Sequence, residues 1–237
     1  MLKSFLKDIF DPLCFAVSKK RLLSLESALK SPQTRLALPF VFRGEGHYRR
    51  IGPMQAHEEI AALYGMVSDL KPKTVLEIGT CHGGTLYLWC QVADKAATVI
   101  SLDLPGGHYG GGYHPKREKL YGLFARGDQE LHLLRGDSHA DTSLEKVKSL
   151  LKGRGVDFLF IDGDHSYEGV KRDYQLYSPL VRQGGIIALH DIAKRKAETG
   201  IEVERFWGEL KGAEKKTREF LNTRDNDRVI GIGIIER

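Results

Sequence analysis

From Pro53 onward, apolar runs of strand length alternate with stretches of helical periodicity, which predicts an α/β fold with a mostly parallel sheet covered by helices on both faces. The strand runs are continuously apolar, as strands buried on both faces require. Five of them also end in an acid or another polar group, which on a parallel sheet lines those groups along one edge.

Residues 54–70 carry an apolar stripe through Ile60, Leu63, Tyr64 and Val67 at helical spacing. The run "KPKTVLEIG" follows as a short strand ending at Gly79, and "TLYLWCQVA" resumes a helix. Further strands are expected at 98–102, 131–135, 156–162, 185–190 and 229–235. Residues 142–152 open with Thr142-x-x-Glu145, the pattern of a capping box that starts a helix. Tyr167, Val170, Tyr174, Tyr177 and Val181 recur every three or four residues and predict one buried helical face.

The 237 residues suffice for one sizeable α/β domain plus an extension. Cys14, Cys81 and Cys90 show no CxxC spacing, which argues against a disulfide framework or a structural zinc and points to a reducing, cytoplasmic setting. No apolar run approaches the roughly 20 residues that span a bilayer. Lys7, Asp8, Asp11 and Pro12 interrupt the first residues, so they do not read as a secretory signal.

The net charge of +5 is unevenly spread. Residues 1–50 hold ten Lys/Arg against four Asp/Glu, whereas the remainder is nearly balanced. A basic stripe interleaved with aromatics on the folded body is absent, which argues against nucleic acid as a partner. Leu2, Phe5, Leu6, Ile9 and Leu13 fall at near-helical spacing beside Lys3 and Lys7. Such a helix packs on the domain, packs on a second copy in a homo-oligomer, or lies peripherally on an anionic membrane. The chain thus divides into a basic, amphipathic extension over 1–52 and a domain over 53–237. Removing the extension is expected to leave the domain's site folded.

The strand ends read Glu77-Ile78-Gly79, Asp103, Gly136-Asp137-Ser138, Asp162 and His190-Asp191. Ligands of open parallel sheets bind along that edge. The turn "EIGTCHGGT" has glycines at Gly79, Gly83 and Gly84 for a tight strand-to-helix passage, but not the GxGxxG spacing of a pyrophosphate cradle. Glu77 would repel a diphosphate and suits a ligand with a positive end, such as S-adenosylmethionine. Asp103 stands where an acid accepts both ribose hydroxyls, and Gly136, Asp137 and Ser138 would border the adenine.

The segments "VLEIGTCHGGT", "VISLDLPGG", "GDS" and "FLFIDGDHSYEGVKRD…GGIIALHD" together resemble class I S-adenosylmethionine-dependent methyltransferases. The nearest branch is that of cephalosporin hydroxylase-like proteins and metal-dependent sugar and natural-product O-methyltransferases. The likeness covers residues 53–237 and leaves out 1–50. It implies a Rossmann-like class I fold with a seven-stranded, mostly parallel sheet, whose last strand, 229–235 or its neighbour, runs antiparallel. The N-terminal helical extension is added to it. Oxidation is not implied, since no iron-type His/His/carboxylate triad is evident.

The resemblance further implies a cofactor site of Glu77, Gly79, Thr80, Gly83, Gly84, Thr85, Asp103, Gly136, Asp137 and Ser138. It also implies a divalent cation, Mg²⁺ or Mn²⁺, on Asp162 with the pair His190-Asp191, which would stabilise the acceptor's alkoxide. Many relatives have an acid or amide where His190 stands, so His190 is a ligand, a group behind the ligands that orients them, or a general base. His165 is a second candidate base; alternatively Asp164 or Ser166 caps the next helix while His165 faces solvent. Glu168 suits the helix dipole as a first-turn acid, and Cys81 and His82 read as spacers. The glycine-rich stretch 104–118, with His108, Tyr109, Tyr113 and His114, could stack on a sugar or cover the cofactor. Lys194, Arg195 and Lys196 fit an anionic acceptor or a solvated loop equally well.

The expected activity is therefore methyl transfer from S-adenosylmethionine to a hydroxyl of a small acceptor, a sugar or an anionic metabolite, aided by a metal. The alternatives are a metal-independent O- or N-methyltransferase with a His base, and a non-catalytic cofactor-binding protein of a membrane-associated assembly.

Overall fold

The computed structural model describes residues 9–106, 112–222 and 229–237. Its strands are β1 (Thr74–Ile78), β2 (Thr98–Asp103), β3 (Glu130–Arg135), β4 (Val156–Ile161), β5 (Val181–His190), β6 (Thr217–Leu221) and β7 (Gly231–Glu236). They form one sheet in the order β3-β2-β1-β4-β5-β7-β6. The first five pair in parallel, and β7 runs antiparallel to both β5 and β6. Strand order reverses at β1, which has β2 on one side and β4 on the other, so the sheet's switch point lies at the β1 carboxyl end.

The helices are α1 (Asp11–Ala28), α2 (Pro32–Val41), α3 (His57–Leu70), α4 (Gly84–Val92), α5 (Glu118–Tyr121), α6 (Asp141–Leu151), α7 (Tyr167–Tyr177) and α8 (Val203–Ala213). Side chains alternate across each strand and build two cores. Val75, Val99, Phe158, Phe160 and Ala188 face α1 to α5, whereas Leu76, Ile78, Ile100, Leu159 and Leu189 face α6 to α8. Strands β1, β2 and β4 are buried throughout, as continuous apolar runs require.

Several local expectations change. The helix over 142–152 begins one residue earlier, at Asp141, and Thr142 makes no cap; Ala140 occupies the N-cap without a side-chain bond. The stripe ending at Val181 stops at Tyr177, because the turn Ser178–Leu180 contains Pro179 and Val181 already belongs to β5. Strand β6 and helix α8 were not anticipated. The helix shows a clear stripe, with Val203, Phe206, Trp207 and Leu210 buried at spacings of three and four.

The basic N-terminal segment is packed into the first core. Leu22, Leu38, Phe42, Tyr48 and Ile51 are fully buried there beside Trp89 and Tyr87. Buried Asp11 accepts a hydrogen bond from the Tyr48 hydroxyl at 2.9 Å and pairs with Lys119 at 3.1 Å. Ile9 and Leu13 of the expected amphipathic stripe are exposed; Leu2, Phe5 and Leu6 lie outside the described residues. No described helix is long and apolar enough to cross a membrane.

Candidate active site

Because β1 to β5 are parallel, their carboxyl ends share one edge, and a cavity of about 490 Å³ opens there. That size suits a nucleoside-type ligand. Ile78 and Gly79 line it from β1, Leu102 and Asp103 from β2, Gly136, Asp137 and Ser138 from β3, and Asp162 with Gly163 from β4. Gly79 has φ +89°, and a Cβ there would stand 2.0 Å from the Asp162 carbonyl oxygen. Only glycine lets the chain leave β1 against β4 at this point. Gly84 serves a second close approach, with a Cβ position 2.4 Å from the Ile51 carbonyl oxygen, so the N-terminal segment is seated on the start of α4.

Asp103 is 8% exposed and accepts from the Tyr113 backbone N–H at 3.1 Å. Burial raises its pKa, opposed by N–H bonds from Thr80, Tyr113 and Cys81. The buried Thr80 hydroxyl bonds Ser101, which secures the turn. Glu77 behaves differently from the other candidates. It is fully buried beneath the turn, does not line the cavity, and accepts from the Trp89 indole N–H at 3.0 Å. Burial pushes its pKa up to about 8, against hydrogen bonds from Thr85 and Trp89, so the carboxyl is largely neutral at pH 7. Gly83 and Thr85 likewise flank the turn outside the cavity lining. His139, unremarked in the sequence, joins the lining. Its Nε2 lies 3.3 Å from the fully buried Asp173, which ties the β3 end to α7. His108 and Tyr109 lie outside the described residues.

Beyond the cavity, Asp162, His165, His190 and Asp191 come together. His190 Nδ1 is 2.9 Å from Asp162 Oδ1, and its Nε2 is 3.3 Å from Glu59 Oε1. Gln55 Nε2 donates to the other Asp162 oxygen at 2.7 Å. His165 Nδ1 is 3.0 Å from Asp191 Oδ2, and its Nε2 is 3.8 Å from Asp162 Oδ1. Ser166 does cap α7, accepting from Gly169 N–H at 3.1 Å, yet His165 turns inward and its side chain is only 12% exposed. The Ser166 cap is as expected, whereas the expected solvent-facing His165 is not found. Asp191 has φ +60°, an uncommon conformation for a non-glycine residue and one met at functional sites.

Both imidazoles are shifted upward: burial would lower the pKa of His165, but the bond to Asp191 and the charges of Asp162 and Asp191 raise it. Burial would lower the pKa of His190, but the Asp162 charge and bonds to Asp162 and Glu59 raise it well above its ordinary value. Burial would likewise raise that of Asp191, but the His165 bond and the charges of His190, His165 and Arg195 hold it down at about 2. Both ring nitrogens of His190 thus face carboxylates, an arrangement that favours its protonated form. Cys81 is no nucleophile, since burial raises its thiol to about 11. Gln55 and Glu59 were missed from the sequence. Their trace is a polar pair four residues apart, where buried Glu59 precedes Ile60 and Leu63 on the inward side of α3.

The donor set does not fit the expected cation. A metal ligand must offer a lone pair, and His190 faces a carboxylate with each nitrogen. Among the described residues no group of three His, Cys, Asp or Glu is arranged to hold a metal. Lys194 and Lys196 are exposed, and Arg195 donates to the Val229 carbonyl oxygen at 3.2 Å.

Residues 76–192 match the family described as "Methyltransferase domain". An uncharacterized protein of Sinorhizobium fredii is 26% identical over 180 residues, which is 74% of this chain and 18% of that protein. One of Acanthamoeba polyphaga mimivirus is 34% identical over 118 residues, 50% of this chain and 51% of that protein. The chain thus spans about half or less of the length of these curated relatives. The solved O-methyltransferase from Bacillus cereus, in complex with SAH, shares 18% identity and a TM-score of 0.52 over 74% of this chain and 79% of that one, a likeness of fold. The family match runs over the strand ends that line the cavity, so residues 76–192 are similar in sequence to a methyltransferase domain, and the strand order gives the chain the Rossmann-like fold of the solved methyltransferases.

Proposed function

We propose that the protein methylates a hydroxyl of a small acceptor, a sugar or another small natural product, with His165 taking the proton and no metal ion required. The observation that carries this reading is the junction of cavity and dyad: Asp162 lines the cavity, and His165, held by Asp191 at 3.0 Å, stands directly behind it with Nε2 3.8 Å from Asp162 Oδ1. The O-methyltransferase activity named for the Bacillus cereus fold relative supports the choice of a hydroxyl.

When bound, S-adenosylmethionine supplies a sulfonium-activated methyl group and leaves as a neutral thioether. Asp103 would accept hydrogen bonds from its ribose, and Gly136 to Ser138 would border its adenine. Asp191 holds the Nδ1–H of His165, which fixes the ring and directs Nε2 toward Asp162 as the proton acceptor. His190, set between Asp162 and Glu59, holds the Asp162 carboxyl in place. A positioned base of this kind contributes about 10²- to 10⁴-fold to rate.

Transfer of labelled methyl groups to a panel of hydroxyl acceptors tests the reading. Turnover should persist in excess chelator, and His165→Ala should lower kcat by about 10²-fold or more with SAH affinity unchanged. Turnover lost in chelator and restored by Mn²⁺ or Mg²⁺ would overturn the metal-free mechanism.

A further inference from the structure

A second cavity, about 270 Å³, lies on the other side of the β1–α4 turn and meets the first at Cys81 and Gly112, which line both. Arg49, Arg50, Arg117, His47, His82 and His114 line it, and no acid does. Arg49 and Arg50 are exposed and form no ion pair among the described residues. Arg117 is the more telling residue. It is 9% exposed, and four of its five N–H groups are directed at uncharged acceptors: the Tyr121 hydroxyl and the carbonyl oxygens of His47, Arg50 and His82. A buried guanidinium normally has a carboxylate or other anion as its partner. Here none of the described residues supplies one, and two more guanidinium groups stand beside it. The positive field is felt locally: burial lowers the pKa of His82, and the charges of Arg117 and Arg50 lower it further. His47 and His114 stack at 4.0 Å and close one wall.

We propose that this pocket binds a phosphate group, and that in turnover the phosphate is carried by the methyl acceptor. The exposed Arg49 and Arg50 each offer a planar fork of donors to the oxygens of a dianion, and Arg117, with four N–H groups engaged, adds its charge and at most one further donor. The acceptor is then a phosphorylated small molecule that spans from the arginine pocket to the cofactor cavity across Cys81 and Gly112. That last assignment rests on the methyl-transfer reading, whereas the anion site itself does not.

The probe is inorganic phosphate, titrated at constant ionic strength and followed by phosphorus NMR, against the full chain and an Arg49→Ala/Arg50→Ala variant. Both arginines are exposed, so the variant should fold and bind SAH within twofold of wild type. Wild type should bind phosphate, and the variant at least tenfold more weakly. Equal binding by the two proteins, or none by wild type, would overturn the site. In a second arm, labelled methyl transfer should be greater to hexose phosphates than to the free hexoses, and the preference should shrink in the variant. Faster transfer to the neutral sugars would show that the pocket takes free phosphate and would overturn the acceptor assignment. Failure to bind SAH counts against the methyltransferase reading and leaves the phosphate titration as an independent test.

Discussion

Replacing Gly79 with alanine probes the point where fold and site meet. The new Cβ would lie 2.0 Å from the Asp162 carbonyl oxygen, 2.5 Å from its carbon and 2.9 Å from the Gly163 nitrogen, all backbone atoms that cannot swing aside. Relief requires the ends of β1 and β4 to part by more than about 1 Å, judged against ordinary contact distances. Two backbone hydrogen bonds hold the end of β1 in place: Asp162 N–H to the Ile78 oxygen at 2.8 Å across to β4, and Gly79 N–H to the Leu102 oxygen at 2.9 Å across to β2, and moving the turn strains both. Their loss costs about 1 kcal/mol each, and a positive φ on a Cβ-bearing residue adds about 1–2 kcal/mol. The expected destabilisation is about 3–4 kcal/mol, a large part of a typical domain's 5–15 kcal/mol. Urea unfolding should show a lower midpoint, and calorimetry a weakened affinity for SAH, since the parted strands line the cavity. Gly65→Ala is the control: it sits in α3 with nothing within 4 Å of its Cβ position, so stability should hold or rise slightly. A Gly79→Ala protein within about 1 kcal/mol of wild type that binds SAH normally would refute the reasoning.

Asp103→Ala should weaken SAH binding by about 1–3 kcal/mol, roughly 5- to 150-fold in Kd, through lost hydrogen bonds to a charged acceptor; unchanged affinity would remove Asp103 from the site. For Glu77 the folded pKa of about 8 exceeds the unfolded value near 4.5, so the folded state holds the extra proton between those limits. Wild-type stability should therefore decline as pH rises from 4.5 to about 8, by at most about 1.4 kcal/mol per pH unit from this group, and Glu77→Gln should flatten that slope. Identical pH profiles from urea unfolding would contradict it. Deleting residues 1–52 removes five fully buried side chains from the first core, each contributing about 1.5–3 kcal/mol. The truncated protein should be unfolded or insoluble, which light scattering and circular dichroism would show, and a folded truncation that binds SAH would restore the separability expected from the sequence.

Periodicity alone determined the α/β class, and the positions of β1, β2 and β4 followed from runs such as "TVLEI" and "VDFLFI", because a strand buried on both faces leaves an unbroken apolar signature. Residue type at the strand ends also marked Asp103, Gly136 to Ser138 and Asp162 as neighbours before any coordinates, since parallel strands bring their carboxyl ends to one edge. Edge strand β6, "TREFL", left no such trace: partly exposed, it needs no apolar run. The partners of each side chain were decided only by tertiary structure. Glu77 reads as a cofactor contact in sequence but turns under the sheet onto Trp89, because alternate residues of β1 face opposite cores. His190 reads as a ligand, a group behind the ligands or a base, yet Glu59, 131 residues earlier, closes on it from α3 and places a carboxylate at its second nitrogen. Arg50 and Arg117 are ordinary basic residues in the chain, and become one pocket only because the N-terminal segment is folded against the turn after β1. Such pairings are set by burial and charge between distant segments, which local sequence pattern does not encode.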